Sequence, residues 1–209
     1  MALGRETEIT WLGHATVLIT TPGGKRLVID PWLTDNPACP TEYRQLAGID
    51  GILITHGHYD HLGDAVPLAA SSDAPVVAIH EVATWLQSQG VQKAMGMNKG
   101  GSVEVAGVRA TMVPAEHSGG ISAPDGAIVA GGEAAGYVLT LENGFRIYHA
   151  GDTALFSDMR LIGERQRPEL GFLPIGDLFT MGPTDAAEAA RWLGLTHVVP
   201  IHYGTFPAL

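Results

Sequence analysis

The sequence predicts an α/β fold in which two packed sheets carry helices on their outer sides. Three observations lead there. A pair of strand-like runs joined by a tight turn, followed by a short apolar strand, a polar loop and a helical stretch, occurs twice along the chain. No linker rich in Ser, Pro or charge separates the two occurrences, so they are read as halves, about 1–110 and 111–209, of a single domain spanning residues 1–209. A chain of 209 residues with 45% hydrophobic and 16% charged side chains can also bury a sizeable core and offset the entropy of folding, which excludes a disordered polymer.

The elements follow in order. Ile9 to Thr21 and Lys25 to Leu33 are β-rich runs around Pro22-Gly23-Gly24, which is hairpin turn chemistry. Gly51 to Thr55 is a short apolar strand that ends in a burst of polar residues. Ala65 to Ala70 reads as a helical turn, Pro75 to Ile79 as a buried strand, and Glu81 to Gln89 as a helix stopped by Gly90. Strands are expected at Ser102 to Val105 and Val108 to Val113. In the second half, Gly136 to Leu141 and Phe145 to His149 flank Glu142-Asn143-Gly144, whose Asn-Gly pair is a strong turn signal. Leu170 to Pro174 is a strand, Pro183 to Leu193 an Ala-rich helix, and Val198 to Ile201 a last strand. The 27 glycines, about twice the usual share, fit many tight turns and close backbone approaches.

Charge narrows the partners. Twelve Lys and Arg against 22 Asp and Glu give a formal charge of −10, which repels a phosphate backbone or an anionic membrane. The single cysteine, Cys39, allows no intrachain disulfide, in keeping with a reducing cytoplasm, and the N-terminal residues show no leader pattern. The longest stretch without Asp, Glu, Lys or Arg, Trp192 to Leu209, carries two prolines and two histidines and reads as strand and loop rather than a membrane span.

Chemistry concentrates where strands end. Thr55-His56-Gly57-His58-Tyr59-Asp60-His61 puts three imidazoles and a carboxylate in six residues directly after an apolar strand. A loop leaving a strand can turn them toward one point, with Gly57 allowing a tight fold, whereas a helix or extended strand would splay them. Neutral imidazole with carboxylate, and no thiolate, is a donor set for Zn²⁺, Mn²⁺ or Fe²⁺.

His56-Gly57-His58-Tyr59-Asp60-His61 resembles the His-x-His-x-Asp-His signature of the metallo-β-lactamase fold superfamily. His117 in Pro114-Ala115-Glu116-His117, Asp152 in His149-Ala150-Gly151-Asp152-Thr153 and His202 in Pro200-Ile201-His202-Tyr203 follow in the same order. Trp11-Leu12-Gly13-His14-Ala15, Leu173-Pro174-Ile175-Gly176-Asp177 and Phe179-Thr180-Met181-Gly182-Pro183 look like the branch of poorly characterised metal-dependent hydrolases related to the ascorbate-phosphate lactonases. The resemblance covers nearly the whole chain. It implies a four-layer αββα sandwich with two mixed sheets and outer helices. It further implies one divalent ion held by His56, His58 and His117, a second by Asp60, His61 and His202, and Asp152 bridging them, with Zn²⁺ as the expected metal and Mn²⁺ or Fe²⁺ as alternatives. Taken alone, Asp152 in Ala-Gly-Asp-Thr reads as a turn residue.

Two close ions imply a hydrolase. Water bound between them loses a proton near neutral pH, because its pKa falls to roughly 7, and the resulting hydroxide attacks a small ester, lactone or phosphoester. Asp152, Asp60 and His14 are the candidate catalytic residues, His14 through its expected place beside the metals. His149 reads as a core histidine, His80 and His197 as structural, and Cys39, with no paired base, as incidental. Asp177 is a candidate partner for a ligand imidazole. Ser118 to Gly132, with five glycines and a proline, is expected to be an irregular rim over the pocket, faced by an apolar wall at Phe179-Thr180-Met181. A small anionic or ester-type substrate fits this reading. Two alternatives stand beside it: a nuclease or phosphodiesterase of the same fold, which a basic face would favour, and a protein that holds metal or ligand without turnover. Seven residues follow His202, where the resembling family continues further, so an exposed sheet edge and self-association into a homo-oligomer are expected.

Overall fold

The computed structural model of the chain describes residues 6–123 and 125–209. Two six-stranded mixed sheets face each other with helices on their outer sides, the four-layer αββα arrangement. The first sheet runs β1(Glu8–Trp11), β2(Val17–Thr20), β3(Arg26–Ile29), β4(Gly51–Leu53), β5(Val76–Ile79) and β6(Ala94–Met97) in spatial as in chain order. It is antiparallel through β3 and parallel from β3 to β6. The second sheet is built from β7(Ser102–Val105), β8(Val108–Pro114), β11(Ala135–Thr140), β12(Arg146–His149), β13(Leu170–Pro174) and β14(His197–Ile201). Its spatial order is β14-β13-β12-β11-β8-β7, antiparallel as far as β12 and parallel from β12 to β14. Between β8 and β11 a small pair, β9(Ile121–Ser122) and β10(Ile128–Val129), stands apart. The chain crosses from one sheet to the other at residues 98–101, some way before the expected midpoint.

Side-chain alternation explains the layering. Along β11 and β12, Tyr137, Leu139 and Ile147 join the core between the sheets, whereas their neighbours Val138 and Tyr148 join a second cluster under α4(Met159–Gln166) and α5(Pro183–Leu193). The helices α2(Ala65–Ser72) and α3(His80–Ser88) contribute Leu68, Val82 and Leu86 to the larger core. At the rim of the second sheet β14 leaves Val198 and Pro200 exposed, and a proline is tolerated on such an outermost strand. No helix among the described residues is long and apolar enough to cross a membrane.

Several expectations change. The run Ile9 to Thr21 is two strands, because the chain reverses at Gly13 and His14, both at positive φ, with the Thr16 N–H bonded to the Gly13 carbonyl at 3.0 Å. The run Lys25 to Leu33 stops as a strand at Ile29, just before Asp30 and Pro31. The histidine-rich segment is not all loop, since α1(Tyr59–Leu62) carries Asp60 and His61. The glycine-rich stretch 118–132 contains the β9–β10 pair, with Pro124 outside the described residues. The strand β6 and the helix α4 answer to no sequence signal. Of these, α4 holds Gly163 where a Cβ would lie 2.7 Å from the Trp192 carbonyl oxygen, so glycine is required for close approach to α5.

Candidate metal centre

Residues from both sheets and from α1 meet at one place. Thr55 and His56 follow β4, Asp60 and His61 sit on α1, His117 follows β8, Asp152 follows β12 and His202 follows β14. Asp30 follows β3, and His14 occupies the turn between β1 and β2. Strand ends converge here because both sheets finish their parallel strands on the same side. The seven residues expected as ligands are brought together, with His14 among them: His56, His58 and His117 offer atoms within 4.8 Å of one another, as do His14, Asp60, His61 and His202, and likewise His56, His61 and Asp152.

Asp152 lies between the groups. Its Oδ2 is 2.9 Å from His202 Nε2, 3.3 Å from His61 Nε2, 3.7 Å from His117 Nε2 and 4.0 Å from His56 Nε2. Asp60 Oδ2 is 2.9 Å from His14 Nε2, 3.7 Å from His202 Nε2 and 3.9 Å from His61 Nε2. His58 turns its Nδ1 toward His56 Nε2 at 2.9 Å. Gly57 between them is needed for approach, not for a special φ: a Cβ there would lie 2.5 Å from Ile121 Cγ1.

The imidazoles are oriented from behind by a group the sequence reading missed. Asp30 is fully buried and accepts from Thr55 N–H at 2.7 Å, from the Thr55 hydroxyl at 2.7 Å and from His61 Nδ1–H at 2.8 Å. With its proton committed to Asp30, the Thr55 hydroxyl accepts from His56 Nδ1–H at 3.0 Å. Both histidines thereby keep Nδ1 turned to these partners and Nε2 turned to the centre, the carboxylate–histidine arrangement common behind metal ligands. Asp177, expected in that role, is exposed and bonds no imidazole among the described residues. The available signal for Asp30 was an acid placed directly after three buried apolar residues and before a proline. His14, Asp30 and His202 all lie at φ between 50° and 55°, a conformation uncommon outside glycine that the surrounding contacts must hold.

Protonation divides the cluster. Burial holds His56, His58 and His117 below the usual imidazole range, hence neutral. Burial also opposes charge on His61 and His202, yet the carboxylates facing them, Asp152 and Asp30 for His61 and Asp152 and Asp60 for His202, raise both. Against the cost of burial, Asp60 is held well below the carboxylate range by its hydrogen bond with His14 and by the neighbouring His202, and Asp152 by the charge of His61 and its bond with His202. His14 is lowered by burial; its Nε2–H donates to Asp60 and its Nδ1 accepts from the Thr205 hydroxyl at 2.9 Å.

The remaining candidates lie apart. His149 is a buried, satisfied histidine: Nε2–H donates to the Ala15 carbonyl at 3.0 Å and Nδ1 accepts from Gly151 N–H at 3.1 Å. His80 and His197 are outside the cluster. Cys39 is buried, which pushes its thiol up and away from reactivity.

Comparison with known proteins places the chain in a family. A family model described as the beta-lactamase superfamily domain matches residues 25–203. The chain is 54% identical over 203 residues to a protein of Rubrobacter xylanophilus named UPF0173 metal-dependent hydrolase, covering 97% of this chain and 84% of that one. A protein of the same name from Methanobrevibacter smithii is 46% identical over 203 residues, with the same coverage of 97% and 84%. Among solved structures, Igni18, a metallo hydrolase from the archaeon Ignicoccus hospitalis, superposes with a TM-score of 0.81 at 34% identity over 97% of this chain and 84% of that chain. The chain therefore belongs to the UPF0173 family of metal-dependent hydrolases, within the beta-lactamase superfamily.

Proposed function

We propose that the protein is a dinuclear metal-dependent hydrolase. His56, His58 and His117 would hold one divalent ion and Asp60, His61 and His202 a second, with Asp152 placed to serve both. The observation that carries this reading is the position of Asp152 Oδ2, within 2.9–4.0 Å of imidazoles from both triads. The residues fit such ions. His61 Nε2 and Asp152 Oδ1 are buried polar atoms without a hydrogen-bond partner among the described residues, as expected of donors to a cation. The donors are imidazole and carboxylate without thiolate, a set suited to Zn²⁺, Mn²⁺ or Fe²⁺. The protons that the carboxylates draw onto His61 and His202 also stand where cations would replace them.

Ions bound there supply Lewis acidity toward a carbonyl or phosphoryl oxygen and lower the pKa of a nearby water to roughly 7. The chain's own residues do the rest. Asp30, directly and through Thr55, fixes the tautomers of His61 and His56. His14 donates to Asp60 and fixes the carboxylate's orientation, a positioning role. Asp60 lines the pocket, with its carboxylate held in place by His14. The substrate class is an ester, lactone or phosphoester.

The reading is tested with protein loaded with Zn²⁺ or Mn²⁺ and assayed against carboxylic esters, lactones and phosphodiesters. Turnover of at least one class, abolished by chelation and restored by the metal, is expected. Folded, metal-loaded protein inactive on every class would identify a binding protein instead.

A further inference from the structure

The pocket over the centre has walls that the reaction itself does not require. A cavity of about 660 Å³ opens above His58, Asp60, His117, Asp152 and His202. Its sides come from separate parts of the chain: Tyr59 on α1, Ile128 on β10, Phe179 after β13, and Phe206 beyond β14. Tyr59 is 56% exposed, Ile128 73% and Phe179 59%, so three large side chains, mainly apolar, stand in water around one mouth. Exposure of that kind, gathered at a reactive cleft, marks a surface that an apolar ligand covers. The remaining side-chain polarity in the walls is neutral, from the hydroxyls of Tyr59, Ser118 and Ser122.

Charge gives the second, independent observation. None of the residues lining the cavity is Lys or Arg among those described, and its carboxylates are Asp60 and Asp152. The chain as a whole carries −10. A substrate with a phosphate or carboxylate away from its reacting bond would leave that group facing apolar walls without a cation, a desolvation with no compensating partner.

We propose that the substrate is an uncharged carboxylic ester, open-chain or cyclic, whose non-reacting part is an aliphatic or aromatic group seated between Tyr59, Ile128, Phe179 and Phe206. This rests on the hydrolytic reading above and names its substrate class. In the step, the water oxygen bonds to the acyl carbon and the acyl C–O bond breaks. One water proton passes to the departing oxygen, so the products are a carboxylic acid and an alcohol. Small molecules that carry an anionic group away from the reacting bond are thereby disfavoured as substrates.

The test uses metal-loaded protein and para-nitrophenyl esters with one leaving group and four acyl groups: acetyl, hexanoyl, phenylacetyl and hemisuccinyl. The expected kcat/KM for hexanoyl and phenylacetyl exceeds that for acetyl by on the order of tenfold or more, the scale that added methylenes in an apolar pocket can give. The hemisuccinyl ester is expected to fall below acetyl. In Phe179→Ser and Ile128→Ser the hexanoyl-to-acetyl ratio moves toward one. A hemisuccinyl ester turned over as well as hexanoyl, or a ratio unchanged in both variants, overturns the proposal. Ligand-observed NMR with uncharged phenylacetamide and anionic succinamate separates this outcome from failure of the hydrolytic reading. Selective binding of phenylacetamide, lost in Phe179→Ser, with no carboxylic ester, lactone or phosphodiester cleaved, supports the apolar site and overturns hydrolysis; equal binding of both amides overturns the apolar site.

Discussion

Asp152→Ala is expected to lower kcat/KM by on the order of a thousandfold or more, a loss typical of removing a main electrostatic element from a reactive centre. The reason is geometric. Asp152 Oδ2 is close to His56 and His117 on one side and to His61 and His202 on the other. Asp60 contacts His14, His61 and His202 but not His56, so it cannot take over the spanning position. Removing the carboxylate also leaves His61 and His202 without the anion that chiefly favours their protonated form. Asp152 sits at a strand end, not within the apolar core, so the variant should remain folded by circular dichroism. Activity within tenfold of wild type in a folded Asp152→Ala protein would contradict the role assigned to it.

Asp30→Ala is expected to be the most destabilising single change around the site, by about 3–5 kcal/mol, because it breaks a fully buried ion pair. Three donors lose their acceptor together: Thr55 N–H, the Thr55 hydroxyl and His61 Nδ1–H. Both Asp30 and His61 are fully buried, so water does not replace the lost partner. Asp30→Asn separates stability from positioning. An amide can still accept from Thr55, but its NH₂ would face the Nδ1–H of His61, donor against donor, and favour the wrong tautomer. Urea unfolding should show a smaller loss for Asp30→Asn than for Asp30→Ala, while competition with a chelator should show metal affinity about 10–100-fold weaker. An Asp30→Asn protein that binds metal as tightly as wild type would remove Asp30 from the account.

The candidate centre was legible because much of its chemistry is local in sequence. His56, His58, Asp60 and His61 fall within six residues after an apolar strand, and the hairpins announce themselves through Pro22-Gly23-Gly24 and Asn143-Gly144. What was not legible depends on contacts between distant residues. Asp30 and His61 are 31 residues apart, and although Asp30 follows an apolar run and precedes a proline, nothing in the sequence pairs it with His61. The strand β6 contains a glycine and weak strand formers, and exists because it pairs along β5 from Val76 opposite Ala94 to Ile79 opposite Met97. In α4 a glycine that lowers helix propensity is the residue that lets the helix approach α5. The apolar mouth was visible only in part: Phe179 was expected there, whereas Ile128 arrives on a strand within a stretch read as irregular.

The central claim is that two ions share one carboxylate between two histidine-containing triads. Its most direct measurement is the number of metal ions retained per chain by purified protein saturated with Zn²⁺ and freed of excess, counted by plasma mass spectrometry against protein concentration. The account predicts about two per chain. A value of one or none at saturation, in protein shown to be folded, would contradict it.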